Sequence, residues 1–220
     1  MLLCIVDLID KQTLSELRDW LKLATFSDGR ATAGSDARKV KHNEQVDKSD
    51  PKLAKMQELV TDKLWDHALF SEATQARRIR PPLFSRYAPG MAYGNHVDNV
   101  MMGGMRTDIS VTLFLSDPED CDGGELVIDS TAGEQDFKLP AGSAILYPTT
   151  ALHRVAPVTR GQRLAAVTWV RSLVRDAARR EVLFDLETAR HGLAKQVGKT
   201  AELDLIAKTK SNLLRMWAED

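Results

Sequence analysis

The 220-residue chain carries 30 basic and 31 acidic side chains, a formal net charge of −1, so no global field draws it to nucleic acid or to an anionic membrane. A hydrophobic share of 43% against 28% charged fits an ordinary globular protein with one sizeable core. Cys4 and Cys121 form neither a Cys-x-x-Cys pair nor a disulfide framework, and no stretch reaches the roughly 18 apolar residues of a membrane span. Asp7 and Asp10 interrupt the apolar start before it can form a signal h-region, and a soluble cytoplasmic protein is expected.

In chain order, residues 2–9 read as a short strand entering a turn. Lys11 to Ala24 reads as an amphipathic helix with Leu14, Leu17 and Leu21 at helical spacing and Thr13 or Ser15 as its cap. Phe26 to Gly34 is a loop or strand pair. The basic run Lys39 to Asn43 is either a solvated edge or a lip of an opening. Pro51 precedes a helix stripe of Leu53, Met56, Val60 and Leu64 that extends to about Phe70, with His67 as a surface or capping residue. Strands are expected at Phe84 to Tyr87, Ala92 to Val97, Ser110 to Leu115, Glu125 to Ile128, Phe137 to Leu139, Ala144 to Pro148, His153 to Val158 and Arg163 to Val170. Met101 to Met105 reads as an apolar loop, and Asp117 to Asp122 as an acidic turn without the register of a calcium loop. About eight short strands with Gly/Pro turns favour a jelly-roll. Past Arg171 the pattern turns helical, with Val174 to Gly192 and Leu203 to Trp217 as two units. The expected organisation is α+β: flanking helices and strands over 1–79, a double-stranded β-helix core over 80–172, and a C-terminal helical extension over 173–220.

The chemistry centres on Asn95-His96-Val97-Asp98-Asn99. In extended chain, residues two apart point the same way, so His96 and Asp98 can reach one point. Of the five histidines, His153 is the best third ligand: it lies fifty-five positions after Asp98 and opens an apolar, β-prone stretch. Two imidazoles and one carboxylate form a face that suits non-haem Fe(II) and leaves coordination positions open. Ten residues on, Arg163 shares a strand face with Ala165, Val167 and Trp169. A cation on that apolar face is costly unless it meets an anion, and its guanidinium fork fits a carboxylate. An iron with vacant sites beside such an arginine suits an oxo-acid cosubstrate.

His96-Val97-Asp98, His153 and Arg163 together resemble the Fe(II)/2-oxoglutarate dioxygenases of the prolyl-hydroxylase type. Tyr87, Gly90 and Tyr93 resemble the Tyr-x-x-Gly-x-x-Tyr lead-in of that group. Gly29 to Gly34, Arg106 to Leu115, Asp122-Gly123-Gly124-Glu125-Leu126, Leu146-Tyr147-Pro148 and the charged helical tail are similar to the bacterial PKHD-type hydroxylases, so the resemblance covers nearly the whole chain. It implies His96, Asp98 and His153 as iron ligands and catalytic residues, Arg163 as the 2-oxoglutarate anchor, and Tyr87 as a wall of the cosubstrate pocket. It further implies hydroxylation of a small-molecule or peptide substrate with conversion of O2 and 2-oxoglutarate to CO2 and succinate, and L-ascorbate as an accessory. One departure stands out: Val111 to Leu115 lacks the tyrosine that bonds the oxo-acid in some relatives. Asp98 itself disfavours halogenation, which needs that position vacated. No nucleic-acid or membrane partner is expected, and the C-terminal helices offer a surface for homo-oligomers. Two alternatives remain: a zinc hydrolase, which has no need of Arg163, and a non-catalytic module that responds to iron or 2-oxoglutarate.

Overall fold

The computed structural model describes residues 1–219. Two antiparallel sheets face each other. The larger runs in the order Leu3–Ile5, Ala144–Pro148, Ile109–Phe114, Arg163–Ser172, Leu83–Tyr87, Glu44–Val46, Phe26–Asp28, with Ala76–Ile79 also paired to the long Arg163–Ser172 strand. The smaller runs Gly133–Phe137, Leu126–Ser130, His153–Val155, Ala92–His96, Lys41–His42.

The larger sheet is covered on both faces, so its central strand Ile109–Phe114 is buried throughout. Alternation sorts the side chains. Val111, Leu113, Leu146, Phe84, Ala166 and Val170 point to one side and join the main core with Leu17, Leu21, Met56, Val60, Leu64 and Phe70 of the N-terminal helices. These helices are α1 (Lys11–Leu23), α2 (Leu53–Asp66) and α3 (Ala68–Thr74). On the other side Phe114, Ile145 and Tyr147 meet Leu126 and Ile128 of the smaller sheet. That second interface opens at one end into a cavity.

Several local expectations change. Asp10, not Thr13 or Ser15, caps α1, because its carboxylate accepts from the Thr13 N–H at 2.7 Å. The helix expected to continue to Phe70 breaks at His67, whose Nδ1 accepts from the Phe70 N–H and so caps α3. Met101 to Met105 forms a small hairpin closed by Gly103-Gly104. The strand expected at Phe137 to Leu139 lies earlier, at Gly133–Phe137, where it pairs with Leu126–Ser130. The acidic turn at Asp117 is tied to Arg18 on α1 at 2.9 Å, which gives it a structural role.

The C-terminal helices α4 (Ala177–Val197) and α5 (Ala201–Trp217) pack on each other, and α4 packs on α3. Gly192 lies inside α4, and Gly198 takes the stop expected of it. Near-buried Glu187 on α4 joins the units. It meets Arg190 and His191 of its own helix and Lys210 of α5 at 2.8 Å, while His191 also faces Glu72 of α3 at 3.8 Å. The Arg190 guanidinium first, then Lys210, holds the Glu187 carboxyl down to about 2. A carboxyl lowered by folding adds stability above its unfolded value near 4.3 and loses it as the pH falls toward 2. Glu187→Gln is therefore expected to cost roughly 1–3 kcal/mol in urea unfolding at pH 7, with the gap to the parent protein shrinking below pH 4.

Candidate active site

The Ala92–His96 and His153–Val155 strands are paired so that His153 lies directly opposite His96. Their ring centroids are 4.2 Å apart. Each imidazole is turned by the same local contact, a bond from Nδ1 to the carbonyl two residues upstream: His96 to Gly94 at 2.8 Å, His153 to Ala151 at 3.0 Å. A carbonyl only accepts, so each Nδ1 carries a hydrogen and each Nε2 is the ring nitrogen left for a metal. Both rings are buried, and burial, with the neighbouring His153, pushes the His96 pKa down, which keeps that ring neutral. Tyr93 stacks on His96 at 3.6 Å between centroids.

The regular strand ends at His96, and Asp98 lies just beyond it, yet the i, i+2 relation still brings its carboxylate to the two rings. Its Oδ2 lies 3.8 Å from His153 Nε2 and accepts a 2.6 Å hydrogen bond from Ser110. One donor atom from each of His96, Asp98 and His153 falls within 4.8 Å of the others. Two imidazoles aimed by their Nδ1 bonds and one oriented carboxylate, clustered on one side, fit a facial site for Fe(II). Glu72, Glu187 and His191 are as close together, but Arg190 and Lys210 already neutralise that group, so it reads as an ion-pair cluster.

Arg163 enters the same cavity from the larger sheet. It is 4% exposed, and its Nε has no hydrogen-bond partner. Among the described residues no carboxylate lies within ion-pair distance of it. Its neighbours are aromatic: the guanidinium carbon lies 5.2 Å from the Tyr87 ring centre and 5.6 Å from that of Phe114. Tyr87 is its cross-strand partner and lines the cavity. Burial pulls the Arg163 pKa down while Tyr87, Cys121 and Tyr147 act against that pull. The Gly123-Gly124 turn has a clear purpose here. Gly124 sits at φ +73°, and a Cβ on it would come within 3.0 Å of the Arg163 Cδ.

The cavity encloses about 730 Å³, its open mouth included. Sequence reasoning missed several of its walls. Tyr147 and Thr112 face into it from neighbouring strands of the larger sheet, and Tyr147 meets the His153 ring edge-on at 5.1 Å between centroids. Val111 to Leu115 lacks a tyrosine, and the tyrosine that lines the cavity from the adjacent strand is Tyr147. The alternation Ile145, Tyr147 along that strand was the available signal. Trp169 lines the wall with its indole N–H unpartnered. Lys41 lies in the run read as either a solvated edge or a lip of an opening; it is 7% exposed and lines the cavity, as the second reading has it. Its burial pulls its pKa down to about 8, opposed by the Asp98 and Asp28 carboxylates.

Fold and donor set together define an oxygenase of the jelly-roll type, and the comparisons agree. Residues 82–171 match the 2OG-Fe(II) oxygenase superfamily, and residues 176–219 match the PKHD-type hydroxylase C-terminal domain. A PKHD-type hydroxylase of Picosynechococcus sp. is 49% identical over 98% of both chains, and one of Acaryochloris marina is 51% identical over the full length of both. The chain belongs to the PKHD-type hydroxylases, oxidoreductases of the 2-oxoglutarate and iron dioxygenase class. Among solved structures, a Pseudomonas putida prolyl-4-hydroxylase superposes with a TM-score of 0.51 at 20% identity, over 78% of this chain and 92% of its own. A Trichoplax adhaerens prolyl hydroxylase, bound to a peptide fragment of the hypoxia inducible factor oxygen degradation domain, reaches 0.57 at 16%, over 77% and 82%. At those identities the likeness is one of fold. No helix among the described residues is long and apolar enough to cross a membrane.

The Ser110 hydroxyl fixes the orientation of the Asp98 carboxylate. Ser110→Ala is expected to weaken divalent-metal affinity by roughly tenfold or more with the fold intact, read by anaerobic Fe(II) titration beside a circular dichroism spectrum. Unchanged affinity would show that Asp98 needs no such support.

Proposed function

We propose that the protein hydroxylates a C–H bond of a small-molecule or peptide substrate, with one oxygen atom of O2 entering the product and the other entering succinate as 2-oxoglutarate loses CO2. The observation that carries this reading is Arg163, a fully buried cation with no carboxylate of its own, in the same cavity as a two-histidine, one-carboxylate cluster. A hydrolytic zinc site has no use for such a group. A dicarboxylate that reaches from the metal to the far wall does.

In this reading His96, Asp98 and His153 hold Fe(II), which supplies the oxygen-activating redox chemistry when bound. Each chain residue then has a separate task. The Gly94 and Ala151 carbonyls keep the two rings aimed, and Ser110 keeps the Asp98 carboxylate turned inward. Arg163 neutralises the distal carboxylate of 2-oxoglutarate, with Tyr87 and Phe114 flanking the guanidinium. Leu83, Leu126, Val155 and Val167 line the same cavity with apolar surface that limits water near the reacting centre. L-Ascorbate, as an external reductant, would serve to restore the ferrous state. A cytoplasmic setting accords with two free thiols, Cys4 and Cys121.

With Fe(II), O2 and 2-oxoglutarate the protein is expected to release succinate slowly even without substrate. His96→Ala or Asp98→Ala should bring that release to the metal-free background. Arg163→Ala should raise the 2-oxoglutarate concentration needed for half-maximal release by at least about tenfold, while Fe(II) binding stays as in the parent. Succinate measured by mass spectrometry decides the matter. None above background from the wild-type protein, across a panel of peptides and metabolites, would favour the non-catalytic module.

A further inference from the structure

Lys41 has no assigned task, and its setting is unusual. It sits on the two-residue edge strand Lys41–His42 of the smaller sheet, paired with Tyr93 and His42 with Ala92. Its ammonium lies 5.0 Å from the Tyr93 ring centre, and Tyr93 in turn stacks on His96. One aromatic ring therefore separates this cation from the candidate metal face. Arg163 approaches from the opposite sheet, so the cavity holds two cations on different walls.

The position of Lys41 is built. Its ammonium donates to the Thr32 hydroxyl at 3.0 Å, Thr32 donates to Gln45 Oε1 at 2.7 Å, and the Gln45 amide donates to Ser85 at 3.3 Å. Backbone packing supports the same placement. The neighbouring Val40 side chain crosses Gly94 so closely that a Cβ there would lie 2.8 Å from the Val40 Cβ. A residue other than glycine at 94 would push the Lys41 segment away from the His96 strand.

What Lys41 lacks is an anion. Among the described residues no carboxylate lies within ion-pair distance of it, and its one hydrogen-bond partner is a neutral hydroxyl. The cavity offers Lys41 no free anion: Asn43 Oδ1 in its lining is unpartnered but neutral, and Asp98 is the one carboxylate there. Lys41 makes one hydrogen bond, the indole N–H of Trp169 has no partner, Gln45 Oε1 is taken by Thr32, and Asp98 is taken by Ser110 and the metal face. Buried donors left in that state are costly and call for a ligand that accepts. The cosubstrate meets its own needs at Arg163 and at the metal.

We infer that Lys41 is a specificity-determining residue that binds a carboxylate of the primary substrate, between the smaller sheet and the cavity mouth. One positive charge balances one negative charge in a buried setting, so a monocarboxylate fits and a dianionic phosphate does not. This inference rests on the 2-oxoglutarate-dependent reading, in which Arg163 is reserved for the cosubstrate.

The test uses the full-length protein loaded with Mn(II) and 2-oxoglutarate, so that no turnover occurs. Monocarboxylic acids of graded size, each paired with its primary amide, are titrated by ligand-observed NMR and calorimetry, and the series is repeated on metal-free protein. Acids are expected to bind better than their amides. Lys41→Met should lose that preference by roughly tenfold or more, Lys41→Arg should retain much of it, and both should bind 2-oxoglutarate as the parent does. The inference is overturned if no acid binds better than its amide, if Lys41→Met keeps the preference, or if Lys41→Met loses affinity for 2-oxoglutarate, which would place Lys41 in the cosubstrate site. Failure of wild-type Mn(II) protein to bind 2-oxoglutarate would count against the oxygenase reading instead, while the acid and amide pairs on metal-free protein still report on Lys41.

Discussion

The antiparallel pairing of His153 with His96 is the contact on which the site depends. It joins two residues more than fifty positions apart and sets their rings side by side in the mouth of a two-sheet sandwich. A slip of one residue in that register would turn one imidazole to the opposite face. The pairing alone would leave the rings free to rotate, and the matching Nδ1 bonds to Gly94 and Ala151 remove that freedom. Asp98 then needs only the extended chain after His96 and one hydroxyl from the larger sheet to complete the cluster. Each sheet thus supplies what the other lacks: the smaller brings the donors, and the larger brings Ser110, Tyr147, Tyr87 and Arg163.

The interior is unusual in its charge. A buried guanidinium and a largely buried ammonium line a cavity with a single carboxylate, Asp98, which already has a partner in Ser110. Such an arrangement disfavours the folded state, because desolvated cations and unpaired donors cost free energy that hydrophobic packing must offset. The main core offsets it elsewhere. Helices α1 to α3 cover the far face of the larger sheet with a continuous apolar cluster, and the Glu187 ion-pair group secures the C-terminal helices well away from the cavity. Stability and chemistry are therefore carried by different faces of the same sheet. Strain at the site does not have to be relieved at the site.

Much of this was legible in the sequence, and the reasons differ by residue. Short, nearly continuous β-prone runs marked the Ile109–Phe114, Ala144–Pro148 and Arg163–Ser172 strands, because the sheet they form is covered on both faces. His96 and Asp98 stood out by their spacing two apart in extended chain, and His153 and Arg163 because each is polar in an apolar, β-prone stretch. Lys41 did not stand out. It sits in a basic run whose neighbours are solvated, and only the tertiary pairing with Tyr93 turns it inward. Tyr147 was marked only within Leu146-Tyr147-Pro148 and without a place in the cavity, since an aromatic residue in an apolar strand looks like core. The end of α4 was misplaced because Gly192 sits on an open side of the helix, where a glycine is tolerated in the interior, and the chain turns only at Gly198, whose φ is +70°. Helix caps followed similar logic: Asp10 precedes two other capping residue types, and geometry alone chose among them.

The central claim is that His96, Asp98 and His153 close on one metal while Arg163 meets the far end of a dicarboxylate. The most direct measurement is an anomalous difference map from crystals grown with Mn(II) and 2-oxoglutarate. The account predicts one strong peak about 2 Å from both Nε2 atoms and an Asp98 oxygen, with the oxo-acid density ending at the Arg163 guanidinium. A peak at the Glu72, Glu187 and His191 group with none at the histidine pair, or an oxo-acid turned away from Arg163, would contradict it.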